Sequence, residues 1–167
     1  TKKHIRINGI PHLASKAIGK VNAVLFSPDD IEVIMGSPAS RRRYLDILLS
    51  QLSNEYLQSL QAYHRILSQR NHLLRSIKEN RSSPEELDFW DRELCKTGAF
   101  ILEERATGVN FLAKESAKTY SSLAYEDESL TIEYSPNIKA SSLSKEEYRN
   151  IFADNLLEYR TRDIKAG

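Results

Sequence analysis

Apolar and polar residues alternate at the start of the chain, with Ile5 and Ile7 set against His4, Arg6 and Asn8, and the alternation stops at Asn8-Gly9. This pattern predicts a strand entering a hairpin-like turn, because Asn-Gly accepts the left-handed backbone of a two-residue turn. A short helical or irregular piece is expected over 14–19. The apolar run "VNAVLF" over 21–26 then reads as a buried strand, being too short for a core helix. Two strands alone make a marginal sheet, so the N-terminus reads as the border of something larger.

From Ser27 onward the period changes to that of a helix. Ser27-Pro28, Ser37-Pro38 and Ser83-Pro84 each place a capping hydroxyl before a proline at the first helical position. Ser83 with Glu86, and Ser144 with Glu147, add capping boxes. Leu45, Leu49, Leu52, Tyr56, Leu60, Tyr63, Leu67, Leu74 and Ile77 fall on one helical stripe, with a bend or restart expected near Ser53. "KENRSSPEE" is the turn. A second stripe carries Leu87, Trp90, Leu94, Ile101, Val109, Leu112, Tyr120 and Leu123, interrupted at Gly98 and Arg105. The two stripes predict an antiparallel helical hairpin about 40–60 Å long at 1.5 Å per residue. "SLTIEYSPN" reads as a strand closed by a Pro-Asn turn. Ser144 to Arg162 predicts a last helix burying Tyr148, Ile151, Phe152, Asn155, Leu156 and Tyr159. The expected fold is α+β and mostly α: a long helical hairpin with a few short strands.

Composition narrows the classes. The 167 residues are 40% apolar, enough for a packed core but lean, which suits elongated helices. Lys and Arg total 24 against 23 Asp and Glu, a net charge of +1 that argues against a histone-like polycation. The single cysteine, Cys95, excludes an internal disulfide framework and fits a reducing compartment. No apolar run approaches the roughly 20 residues of a membrane span, and no signal peptide opens the chain. A cytoplasmic setting is expected, so the sequon at Asn80 carries little meaning.

Catalytic chemistry is sparse. There is no GxxxxGK[ST] loop, no HExxH and no Cys or His pair at metal spacing. His64 and His72 are two helical turns apart and read as surface positions. Cys95 reads as a small half-buried residue, Trp90 as a core anchor, and Glu103-Glu104 and Asp127-Glu128 as solvated charge. The chain itself is therefore expected to be no enzyme. The run Arg41-Arg42-Arg43 stands out, because the helix dipole disfavours cations just inside a helix start. On a helix from Pro38, Arg41 and Arg42 continue the buried stripe, while Arg43 points elsewhere. Two readings stay open: an Arg42–Asp46 pair with alkyl stems covering the core edge, or guanidiniums facing a phosphate or a partner carboxylate.

The segment "VLFSPDDIEVIMGSPASRRRYLDILLSQLSNEYLQSLQAYHRILSQRNHLL" closely resembles the RecF family of bacterial recombination-repair ATPases, in which "LFSPEDL", "GSP..RRR.LD" and "Y...L..Y...L.QRN.LL" follow in this order. "LDFWDRELCKTGAFILEER", "SLTIEY" and "YRTRDIKAG" extend the resemblance over essentially the whole chain. It implies an ATP-binding-cassette head similar to those of SMC and Rad50 proteins. Such heads dimerise around ATP and Mg, bind duplex and gapped DNA, and act with RecR, RecO and RecA in gap repair. The phosphate loop, signature and second acidic nucleotide motif of that family are absent here. The resemblance thus implies a middle piece of a slow ATPase, itself without cofactor. It divides into an edge of the head (1–36), a helical lobe II with the helix pair (37–128) and a strand and helix returning towards the head (129–167). Arg41, Arg42 and Arg43 become candidates for a DNA or dimer interface, and Ser27 and Asp29 for nucleotide proximity. The lobe is expected to dock RecR or DNA, the alternative being a purely structural arm; no membrane role is expected.

Overall fold

The computed structural model describes residues 4–13, 17–20, 27–124, 128–138, 140 and 144–167. The chain divides into two compact units, 1–58 and 59–167. The expected strand over 21–26 lies outside the described residues, as do parts of the expected helical piece over 14–19.

In the first unit, β1 (Ile5–Ile7) and β2 (Ile10–His12) pair antiparallel, with Ile7 opposite Ile10 and Arg6 opposite Pro11. Asn8 (φ 51°) and Gly9 (φ 80°) both take the left-handed backbone of the expected two-residue turn. The pair beside such a turn exchanges the hydrogen bonds and the next pair does not, so the missing N–H of Pro11 removes no ladder bond.

Ser27 opens a 3-10 turn, Pro28–Ile31, that leads into α1 (Glu32–Met35). Its backbone N–H donates to Asp30 Oδ2 at 2.6 Å. Ser37 caps α2 (Pro38–Leu52), its hydroxyl accepting from the Ser40 N–H at 3.2 Å. The expected restart is real. Ser53 adopts an extended backbone and ends α2, and its hydroxyl accepts from the Tyr56 N–H at 3.1 Å to open α3 (Asn54–Lys78). Tyr56 is fully buried, and its hydroxyl donates to Asp46 Oδ1 at 2.5 Å.

In the second unit, α3 ends on Asn80 in the left-handed region (φ 57°). Arg81 N–H donates to Ser76 O and Asn80 N–H to Ile77 O, a Schellman closure. Ser83 N–H then donates to Glu86 Oε1 at 2.8 Å, and the 3-10 turn Pro84–Glu86 runs into α4 (Leu87–Ser121). Ser144 caps α5 (Lys145–Ala166), accepting from the Glu147 N–H at 3.2 Å.

Contacts along these helices fix their directions. Tyr63, Gly98 and Phe152 meet at one level. Arg70, Asp91 and Asp163 meet at another, and Lys78 Nζ donates to Ala166 O at 2.8 Å at the end. So α4 runs antiparallel to both α3 and α5. The expected hairpin is one side of an up-down-up three-helix bundle, whose core at this end is Leu73, Leu74, Ile77 and Leu87, flanked by Trp90 and Ile164.

Three expectations are corrected. Gly98 does not interrupt the stripe; it is buried, with the Phe152 ring against its α-carbon. Residues 129–137 form no strand, because a strand exists only by pairing and no described segment pairs with it. Tyr159 faces solvent, its ring stacked under the Arg162 guanidinium at 4.2 Å.

Candidate functional site

Arg41, Arg42 and Arg43 occupy the first turns of α2, and all three are exposed. The expectation that Arg41 and Arg42 continue a buried stripe fails, because no described element covers that turn and burial begins at Leu45. Arg41 instead folds back. Its NH1 donates to Gly36 O at 2.9 Å and to Ile34 O at 3.3 Å, satisfying carbonyls where α1 ends. A cation at the start of one helix thus serves as the cation at the end of the one before. Asp46, the partner considered for Arg42, accepts the Tyr56 hydroxyl. Ser27 is a helix cap, Asp29 is exposed, and the side chain that returns to the cap is that of Asp30. Local capping therefore accounts for the "SPDD" geometry.

The second unit contains a charged cluster that sequence reasoning missed. Arg70 is 4% exposed; its Nε donates to Asp91 Oδ1 at 2.6 Å and its NH1 to Asp163 Oδ2 at 3.1 Å. Arg160 NH2 reaches Asp91 Oδ2 at 2.8 Å and also pairs with Asp88. The hydrogen bond to Asp91, ahead of the one to Asp88, raises the Arg160 pKa against the opposing effect of burial. Arg70 NH2 and Arg160 Nε are buried with no hydrogen-bond partner among the described residues. The three helices are thus clamped through Asp91. Its partners lie 21 and 69 residues away in sequence, so no local motif signals them.

Cys95 is buried, and burial together with the Asp91 charge pushes its thiol from 9.0 up to about 11. It is expected to be inert: at pH 8 the folded chain should react with an aromatic disulfide reagent far more slowly than the chain in denaturant, because the thiolate is the nucleophile. The pKa is raised on folding, so the contribution to stability is intact below about 9 and fades as pH rises towards 11. Labelling equally fast in the folded chain would show that Cys95 is accessible.

On the outside of α4 and α5 lies an open groove of about 520 Å³, lined by Phe89, Arg92, Glu93, Lys96, Lys145 and Arg149. Arg92 and Lys96 are one turn apart on α4, and Lys145 and Arg149 one turn apart on α5. Among the described residues no cluster of three or more His, Cys, Asp or Glu could hold a metal, and no helix is long and apolar enough to cross a membrane.

No protein-family model matches the chain. The DNA replication and repair protein RecF of Herpetosiphon aurantiacus is 41% identical over 136 residues, covering 80% of this chain and 35% of that protein. The same-named protein of Acetivibrio thermocellus is 36% identical over 166 residues, covering 98% and 45%. A solved structure of the recombination mediator protein RecF with an ATP analogue, from the RecFOR pathway, superimposes with a TM-score of 0.88 at 30% identity, covering 99% of this chain and 44% of that one. The ATP-bound form gives 0.89. The chain spans about 35–46% of the length of the curated relatives it matches.

Proposed function

We propose, on the premise that this chain belongs to the RecF family, that it is the helical part of a DNA replication and repair protein and docks macromolecular partners for it. The observation that carries the reading is the match to ATP-bound RecF over 99% of the chain. The whole protein would bind ATP with Mg, hydrolyse it slowly, dimerise, and act in the cytoplasm at gapped and junction DNA with RecR, RecO and RecA. Within this chain, Arg42 and Arg43 are exposed at the start of α2, where they suit phosphate or a dimer partner. The nucleotide-proximal role of Ser27 and Asp29 has weaker support, because capping explains Ser27.

Calorimetric titration of the chain with purified RecR, without nucleotide and at moderate salt, is expected to give saturable heat. No heat from a folded chain would remove RecR docking from this segment. For DNA, each phosphate contact contributes roughly 0.9 to the log–log salt slope. Replacing Arg42 by alanine in the full-length protein is therefore expected to lower the slope by about that amount; unchanged slope and affinity would take Arg42 off the DNA surface.

A second reading, a structural arm, is favoured by the clamp at Asp91, which ties three helices together. Failure of the chain to bind either RecR or DNA would select it.

A further inference from the structure

The groove on α4 and α5 gathers four cations from two helices. Arg92, Lys96, Lys145 and Arg149 are all exposed, and no ion pair engages them among the described residues. Two rings accompany them. Phe89 is 52% exposed at the groove wall, and Lys145 Nζ lies 5.1 Å from the centroid of the Phe100 ring. Lys145 also sits in the first turn of α5, where the dipole disfavours a cation. The local offset is Glu103, whose Oε1 accepts the Lys145 backbone N–H at 3.1 Å and leaves the ammonium over the ring.

We propose that this groove docks an acidic peptide segment of a protein partner, with Asp or Glu alternating with large apolar side chains. The spacing suits an extended peptide. Same-face residues of a strand repeat every ~6.6 Å, close to the ~6 Å between cations one helical turn apart. Each guanidinium can take a carboxylate bidentately, and the alternate apolar side chains meet Phe89. The volume, about 520 Å³, admits a few side chains. A nucleic-acid backbone fits less well, because Glu93 lines the groove and would oppose a dense, uniform charge, whereas a peptide can place an apolar side chain rather than a carboxylate beside it. The proposal deepens the docking role above and rests on it for the existence of a partner.

The test is fluorescence anisotropy on the 167-residue chain with a labelled eight-residue peptide alternating Asp with Phe or Leu. The same peptide with Asn for Asp, and a single-stranded oligonucleotide of matched charge, serve as controls. Saturable binding of the acidic peptide only is expected, weakened at least tenfold by Arg92→Glu/Arg149→Glu and at least threefold by Phe89→Ala. Arg149→Gln, an exposed neutral change, repeats the experiment with least risk to folding, which circular dichroism checks. Equal binding of the Asn peptide, indifference to the charge reversals, or tighter oligonucleotide binding lost on the same reversals would each overturn the proposal. Titrating RecR with the same variants separates the two readings: RecR binding that survives charge reversal while the peptide fails leaves the docking role intact and removes this groove from it.

Discussion

Replacing Asp91 by alanine is expected to destabilise the chain by about 3–5 kcal/mol, the range for removing one partner of a buried ion pair. Asp91 accepts from both Arg70 and Arg160, and Arg70 has almost no solvent exposure. Without it, among the described residues Arg70 keeps Asp163, at 3.1 Å, and Arg160 keeps Asp88, whose side chain is 63% exposed. The desolvation already imposed on Arg70 would then go uncompensated. Asp88→Ala is the matched control and should fall within the 0–1 kcal/mol of an exposed pair. The paired replacement Arg70→Met/Asp91→Leu should cost less than Asp91→Ala, because it removes the most deeply buried of the stranded charges and leaves only the more exposed Arg160 and Asp163 each short of one partner. Urea midpoints at unchanged m-value read all three. A loss at Asp91 no greater than at Asp88 would show that the buried cluster contributes no more than a surface pair.

The buried cluster marks where sequence reading stops. Signals carried by adjacent residues were legible: Asn8-Gly9 announced the hairpin, three Ser-Pro pairs announced helix starts, and Ser53 announced the break between α2 and α3. The family resemblance was legible too, through motif order along the chain. What depends on a distant neighbour was not. Residues 129–137 have strand-like composition but no paired neighbour among the described residues, and a strand without a ladder is not a strand. The helical stripe gave the direction of Arg41 but not whether anything covers it, and Arg41 was taken instead by the carbonyls ending α1. Nothing beside Arg92 and Lys96 in the sequence sets them apart; only the packing of α5 sets Lys145 and Arg149 beside them.

The same dependence on α5 makes Gly98→Ala informative, with an expected net loss of about 1–3 kcal/mol, the usual cost of overpacking. Helix propensity alone predicts the opposite sign, since alanine exceeds glycine by ~1 kcal/mol in a helix interior. Packing decides. A methyl at Gly98 would meet Phe152 Cδ1 at 2.9 Å and Tyr63 Cε2 at 3.2 Å, and would lie closer still to Phe152 Cε1. Tyr63 and Phe152 belong to the helices on either side of α4, so relief on one side presses on the other. Shortening the ring, as Gly98→Ala/Phe152→Leu, should recover part of the loss and give a coupling within the 0.5–3 kcal/mol seen for residues in contact. A stabilised Gly98→Ala would mean that the Phe152 ring swings clear and that close approach is not why glycine stands there. If the loss is found, function should follow the packing. Phe152 is one turn from Arg149 on α5, so displacing it moves Arg149 and Lys145 away from Arg92 and Lys96. Gly98→Ala should then weaken acidic-peptide binding without altering any residue that lines the groove.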